Sequence, residues 1–186
     1  MAPKVKITKE DIVNIAVEIV RKNGTEGINA RSIATMLNCS TQPVFSNFAS
    51  MEELKYAVLE KANELYQEYI KREVESGEYP VYKASGMAYI RFAKEEKELF
   101  KLLFMRDRSD EEIPENTSVD EKMEAIVRKN MGLNETEARL FHLEMWAYVH
   151  GIATMFATCF INLDWQLVSK MLTDSYLGMR KQYGVE

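Results

Sequence analysis

Prolines are scarce in this chain, four among 186 residues, and glycines number only eight. So few breakers, with no convincing two-residue alternation of apolar side chains, exclude a strand-rich sandwich or barrel and leave helix as the dominant element. Two cysteines, Cys39 and Cys159, are too few for a disulfide framework. No stretch of about 18 apolar residues runs without a polar break, so nothing is built to span a bilayer. Met1 to Lys9 lacks the apolar segment of a secretory signal, and the expected setting is the reducing cytoplasm. Histidine is as rare as cysteine. His142 and His150 stand eight residues apart on one helix, about 12 Å along its axis, too far to bind one ion together. No nucleophile elbow, phosphate-binding glycine loop or zinc-protease motif is present, so neither enzyme activity nor a cofactor nor a metal site is expected.

What charge there is falls unevenly. The net charge is −5, yet residues 1–55 hold seven Lys/Arg against six Asp/Glu, net +1, which leaves −6 on the remainder. Any contact with nucleic acid therefore belongs at the N-terminus. So small an excess per copy also favours a protein that binds as a dimer.

The pattern reads as about nine helices. Thr8 with Asp11 opens the first, whose stripe Ile12, Ile15, Ala16, Ile19, Val20 ends at Asn23-Gly24. Gly27 allows a turn, Asn29 caps a short second helix from Ala30 to Leu37, and Asn38 can take the left-handed conformation that ends it. Ser40 is expected to cap a third helix to about Asn47, and Ser50 with Glu53 a long fourth to about Ser76. Helices at Val81–Lys94 and Glu98–Arg106 follow, then an acidic loop from Asp107 to Thr117 and a seventh helix from Ser118 to Met131. Asn134 with Glu137 caps an eighth reaching about Asn162, and Asp164 begins a ninth ending near Gly184.

The second and third helices, with a tight link between them and the first helix behind, have the arrangement of a helix-turn-helix. The third presents uncharged groups, Thr41, Gln42 and Ser46, suited to base edges, while Val44 and Phe48 point inward.

Residues 8–62 resemble the DNA-binding domain of the TetR family. The match rests on Ile12-x-x-x-Ala16, Gly24, Gly27-Ile28, Ile33-Ala34-x-x-Leu37, Ser40, Phe45-x-x-Phe48 and Ser50-x-Glu52-Glu53-Leu54. The resemblance implies DNA contacts from Arg31, Thr41, Gln42, Pro43, Phe45, Ser46 and Asn47. The chain departs from the family at Phe45 (usually Tyr), Asn47 (usually His), Met51 (usually a phosphate-binding Lys) and Ala30 (usually Thr). Those changes remove backbone contacts, which position the protein without reading sequence. Lys4, Lys6 and Lys9 offer compensation.

The later part is similar to a subgroup of that family with Tyr89-x-x-Phe92-Ala93, then Glu98-Leu99-Phe100-x-Leu102-Leu103-Phe104, then Trp146-x-x-x-His150-Gly151. In it this region is a regulatory and dimerisation domain. The expected division is residues 1–50 for DNA and 51–186 for ligand and dimer. Aromatic and Met side chains suit a pocket for an apolar or planar effector. The candidates are Tyr89 and Phe92, Phe100 and Phe104, Met123, then Phe141, Met145, Trp146 and His150. Glu144 would either attract a cation or pair with Arg91 or Arg139. The eighth helix is apolar nearly all round, with a small-residue face at Ala147, Gly151, Thr154 and Thr158 that suits a homodimer interface. The ninth would complete it with Trp165, Val168, Met171, Leu172, Ser175 and Met179.

The function expected is a ligand-responsive transcriptional regulator, a repressor, binding a near-palindromic operator as a homodimer. The alternative is a small-molecule-binding helical protein of the same fold with weak or lost DNA binding.

Overall fold

In the computed structural model, residues 7–109, 111–112 and 119–185 are described. Lys4, Lys6, Ser118 and most of the acidic loop's second half lie outside them. Among the described residues all regular structure is helical. Packing gathers the chain into two compact units, 1–67 with 96–106, and 68–95 with 107–186, a division that does not follow the one at residue 50.

The first unit contains α1 (Lys9–Asn23), a single tight turn (Thr25–Gly27), α2 (Ala30–Met36), α3 (Gln42–Asn47), the first part of α4 (Met51–Glu75) and, out of sequence, α6 (Lys97–Phe104). Thr8 and Asp11 form a reciprocal capping box on α1, and Asn29 forms another with Ser32 on α2. The core is aliphatic at its centre: Ile12, Ala16 and Val20 of α1, Ile33 of α2, Val44 of α3 and Leu54 of α4 are all essentially without exposure. Gly27 is required by crowding, because a Cβ there would lie 2.8 Å from the Cβ of Asn23 and 3.0 Å from Ile19 Cγ2. Asn38 does adopt a left-handed φ of 50°. Ser40, however, does not cap α3. Thr41 occupies the cap position without a side-chain hydrogen bond, and Pro43 inside the first turn removes one donor that a cap would have had to satisfy. Arg21 grips Glu96 through Nε and Nη2 at 2.8 and 2.7 Å, tying α1 to the residue that precedes α6.

The second unit holds the end of α4 with α5 (Val81–Glu95), α7 (Glu121–Met131), α8 (Glu135–Ala157) and α9 (Trp165–Gln182). The α8 helix packs against α5, α7 and α9. A Cβ on Gly86 would stand 3.2 Å from Leu172 Cδ2 and 3.6 Å from Val149 Cγ2, so α5 is drawn close to α8 and α9 at that point. Asn134 with Glu137 and Asp164 cap α8 and α9 as their sequence signals indicate. The α8 helix ends at Ala157, five residues before Asn162. Cys159 turns left-handed with φ 58°, and the amides of Cys159 and Phe160 bond back to Phe156 and Met155, a Schellman closure. Each unit carries one thiol, Cys39 half-buried in the turn before α3 and Cys159 exposed. No described helix is long and apolar enough to cross a membrane.

Candidate functional site

The polar side chains at and beyond the start of α3 divide into two sets. Ser46 donates its hydroxyl to the carbonyl of Gln42 at 2.9 Å, and Asn47 donates its amide to that of Pro43 at 2.8 Å. Gln42 is exposed, Thr41 and Pro43 are half-buried, and Phe45 holds its ring 58% exposed while Val44 and Phe48 anchor the helix from below. Arg31 is exposed at the start of α2, its own amide held by the Asn29 carboxamide, and it forms no ion pair among the described residues. The seven expected DNA-contact positions thus lie on α2, α3 and the cap position before α3, within one unit. The compensating role expected of Lys9 meets a competitor, since its ammonium pairs with Glu53 at 2.7 Å and lies over the Phe48 ring. That ion pair and the Ala49 amide hold the Glu53 carboxyl below the usual carboxylate range.

In the second unit α5 and α8 are joined by two phenol–imidazole bonds. Tyr82 Oη lies 3.0 Å from His142 Nδ1, and Tyr89 Oη lies 2.8 Å from His150 Nδ1. The pairs advance together along both helices, which therefore run in the same general direction. Burial pushes the Tyr82 hydroxyl up from its ordinary pKa, with Tyr176 and Asp120 adding to it, and pushes both imidazoles down. All three groups are neutral at neutral pH. Trp146, one turn before His150, stacks on its ring at 4.9 Å between centroids. Ser85 donates to the carbonyl of Tyr82 and lies 3.3 Å from Met123 Sδ.

The expected pocket residues do not form one set. Phe100 and Phe104 belong to the first unit, where they contact each other and Tyr66 meets Phe104. Phe92 and Phe141 are fully buried core, and Met145 packs with Val127, Met131 and Leu133. Tyr89, Trp146 and His150 do come together, and Met123 stands beside Ser85. Glu144 accepts from Tyr183 at 3.3 Å, and Arg91 pairs instead with Glu73 at 3.1 Å. Sequence reading passed over Ser85, named Tyr82 only among the aromatic residues crowding these helices, and gave His142 only a structural part. The available signal was their spacing, seven and four residues before Tyr89 for one helix face and eight before His150 for the other.

Of the interface candidates, Ala147, Gly151 and Thr158 are exposed, and a Cβ on Gly151 would meet nothing within 4 Å. Leu140 and Leu143 extend this stripe, each nearly half exposed. Thr154 turns its hydroxyl into the unit, where it is buried. Most of the α9 candidates need correction. Val168 and Leu172 are buried inside the unit. Trp165 is sandwiched by its own chain, with Arg91 and Lys94 over its ring at 4.5 and 4.8 Å and Phe156 stacked at 6.0 Å. Met179 packs on the Phe141 cluster, and Met171 and Ser175 are half-buried. The apolar residues that α9 leaves outside are Leu167 and Leu177.

Comparison with known proteins finds two similarities. Residues 82–167 match the tetracyclin repressor-like C-terminal domain, a region that begins at Tyr82 and contains His142, Trp146 and His150. The crystal structure of the multidrug binding protein EbrR complexed with imidazole is similar in fold, with 17% identity and a TM-score of 0.55 over 90% of this chain and 93% of that one. No curated protein sequence matches the chain. Residues 82–167, just under half of the chain, are thus similar to a tetracyclin repressor-like C-terminal domain, and the all-α fold that holds them is similar to that of EbrR.

Proposed function

We propose that the protein is a homodimeric transcriptional repressor that binds a near-palindromic DNA operator and is switched by a small, uncharged, apolar or planar molecule. The observation that carries this reading is the outward face of α3, where Gln42 and Phe45 are exposed just after Thr41, in the same unit as the exposed Arg31 at the start of α2. Gln42 has the donor and acceptor to read an adenine edge, Phe45 an apolar surface for a thymine methyl, and Arg31 a charge for phosphate. Residues 1–50 bind DNA in this reading, and residues 51–186 bind the effector and the second subunit. The subunits meet through the outer stripe of α8, where Ala147 and Gly151 permit close approach between Leu140, Leu143 and Thr158. Two subunits then present two α3 helices to half-sites about 34 Å apart.

A second reading, a ligand-binding protein of the same fold with weak DNA affinity, draws support from Ser46 and Asn47 each turning a donor onto their own helix and from the Lys9–Glu53 pair. One experiment separates the two: a gel shift on the DNA upstream of the protein's own gene, with wild type and Thr158→Arg, alongside sedimentation of each. Repression predicts a specific complex holding two subunits and lost on Thr158→Arg, with the variant a folded monomer. Absence of a specific complex at low salt would leave the second reading, and an undisturbed Thr158→Arg dimer would move the interface off α8.

A further inference from the structure

Two polar residues are buried among those described, Glu73 at 8% exposure and His142 at 7%. Glu73 is matched by Arg91. His142 is matched on one side only: Nδ1 has Tyr82, and Nε2 has no hydrogen-bond partner. Polar atoms so deeply buried are almost always paired, and one left over calls for a ligand, an ordered water or an ion.

The protonation state of the pair defines what is missing. If the Tyr82 hydroxyl donates to Nδ1, its proton is used and the imidazole carries its own on Nε2, leaving one unmet donor. If Nδ1–H donated instead, both the Tyr82 proton and the Nε2 lone pair would lack partners. The first arrangement leaves fewer orphans, so Nε2 presents an N–H. The pair sits in an aromatic cluster: the Tyr82 centroid is 5.8 Å from the imidazole, and Phe141 and Tyr176 are in turn 6.5 and 5.9 Å from Tyr82. Asp120 and Glu124, at the start of α7, act on His142 through their negative charge. Asp120 is held there by accepting the amides of Lys122 and Met123. The site therefore offers one donor, an aromatic wall and a field that repels anions.

We infer that the His142 Nε2–H reads the effector, and that the effector is an uncharged, largely apolar molecule whose carbonyl or ether oxygen accepts this bond. The inference rests on the reading of the second unit as the ligand sensor and adds the ligand's chemical class. It assigns His142 a recognition role in place of a packing role.

The test uses the intact dimer without DNA, so its outcome is separate from that of operator binding. Three probes of similar size are titrated against Trp146 emission, in a Trp165→Phe background: acetophenone with a carbonyl, ethylbenzene without one, and benzoate with a charge. Acetophenone is expected to bind about tenfold more tightly than ethylbenzene or benzoate, the worth of one net hydrogen bond. His142→Gln, which keeps a donor near the Nε2 position, should retain part of that preference, and His142→Phe should abolish it. As a check free of substitutions, the His142 Nε2–H proton resonance should move downfield with acetophenone and stay in place with ethylbenzene. Equal affinity for acetophenone and ethylbenzene, no saturable binding of any probe by the wild type, a preference surviving in His142→Phe, or an unmoved resonance would each overturn the inference.

Discussion

The two units satisfy their polar groups in different ways. In the first, the bonds that shape the reading surface are local: Thr8 with Asp11, Asn29 with Ser32, Ser46 with Gln42 and Asn47 with Pro43 each close within four residues. In the second, they cross between helices: Tyr82 with His142, Tyr89 with His150, and Lys83 with Ser169 and Thr173, over sixty to ninety residues of sequence. Local bonding frees the outer face of a small scaffold for a partner. Bonding across the core places polar chemistry where a small molecule could be enclosed. On the proposed function, the first arrangement suits a surface that reads DNA and the second a sensor of small molecules.

Substitutions sharpen this contrast in order of size. Phe141→Ala removes a fully buried ring that packs among Tyr82, Tyr176 and Tyr183, and should cost about 4 kcal/mol in urea denaturation followed by tryptophan emission. Both tryptophans, Trp146 and Trp165, lie in the second unit, so that signal reports on it directly. On the reading face the expected losses are in DNA binding, with folding unaffected. Gln42→Ala should reduce discrimination at one base position by about 1–3 kcal/mol. Arg31→Ala should weaken all sequences alike and reduce the salt dependence by roughly one counterion per subunit. Sequence preference unchanged in Gln42→Ala would end the parallel with a base-reading helix. Asn29→Ala removes a local cap that receives two amides and should cost about 1 kcal/mol in thermal unfolding by far-UV ellipticity.

The smallest effect is expected from pH. Burial holds the folded pKa values of His142 and His150 below ordinary imidazole. The unfolded chain therefore takes up protons first, from about pH 6.5 downward. Stability is full above that value and declines as pH falls toward the lowered folded values. The carboxyl groups of Asp11, Glu53 and Asp107, also held low, contribute their loss only at more acidic pH. Replacing both histidines with Phe should flatten the upper part of the curve, and an unchanged slope between pH 5 and 7 would place the neutral imidazoles in doubt.

Much of the fold was legible because its punctuation is local. Thr8, Asn29, Asn134 and Asp164 announce helix starts through side chains acting within three residues, and Asn38 announces a left-handed turn. The end of α8 was not legible, because the left-handed residue is Cys159 rather than the glycine or asparagine that marks such closures. The site was partly legible for a similar reason. Exposure of Gln42 and Ser46 follows from helical spacing, whereas the bond from Tyr82 to His142 depends on a register between helices sixty residues apart. The apolar side of α9 was visible as a stripe, but a stripe does not say what covers it. Here Trp165, Val168 and Leu172 are covered by the chain itself. Phe100 and Phe104 were grouped with the pocket by proximity in sequence, while packing assigns them to the first unit.

The distribution of thiols makes the protein its own ruler. With one cysteine in each unit and no other, Cys39 beside the reading helix and Cys159 at the end of α8, a pair of spin labels can be attached without introducing a residue. Pulsed dipolar spectroscopy on labelled chain diluted into unlabelled Cys-free copies, so that a dimer carries at most one labelled subunit, would then give a distribution of distances between the two units, collected before and after an effector is added. A shift in its mean would read out the switch as a length, and a narrowing alone would read it out as a loss of freedom.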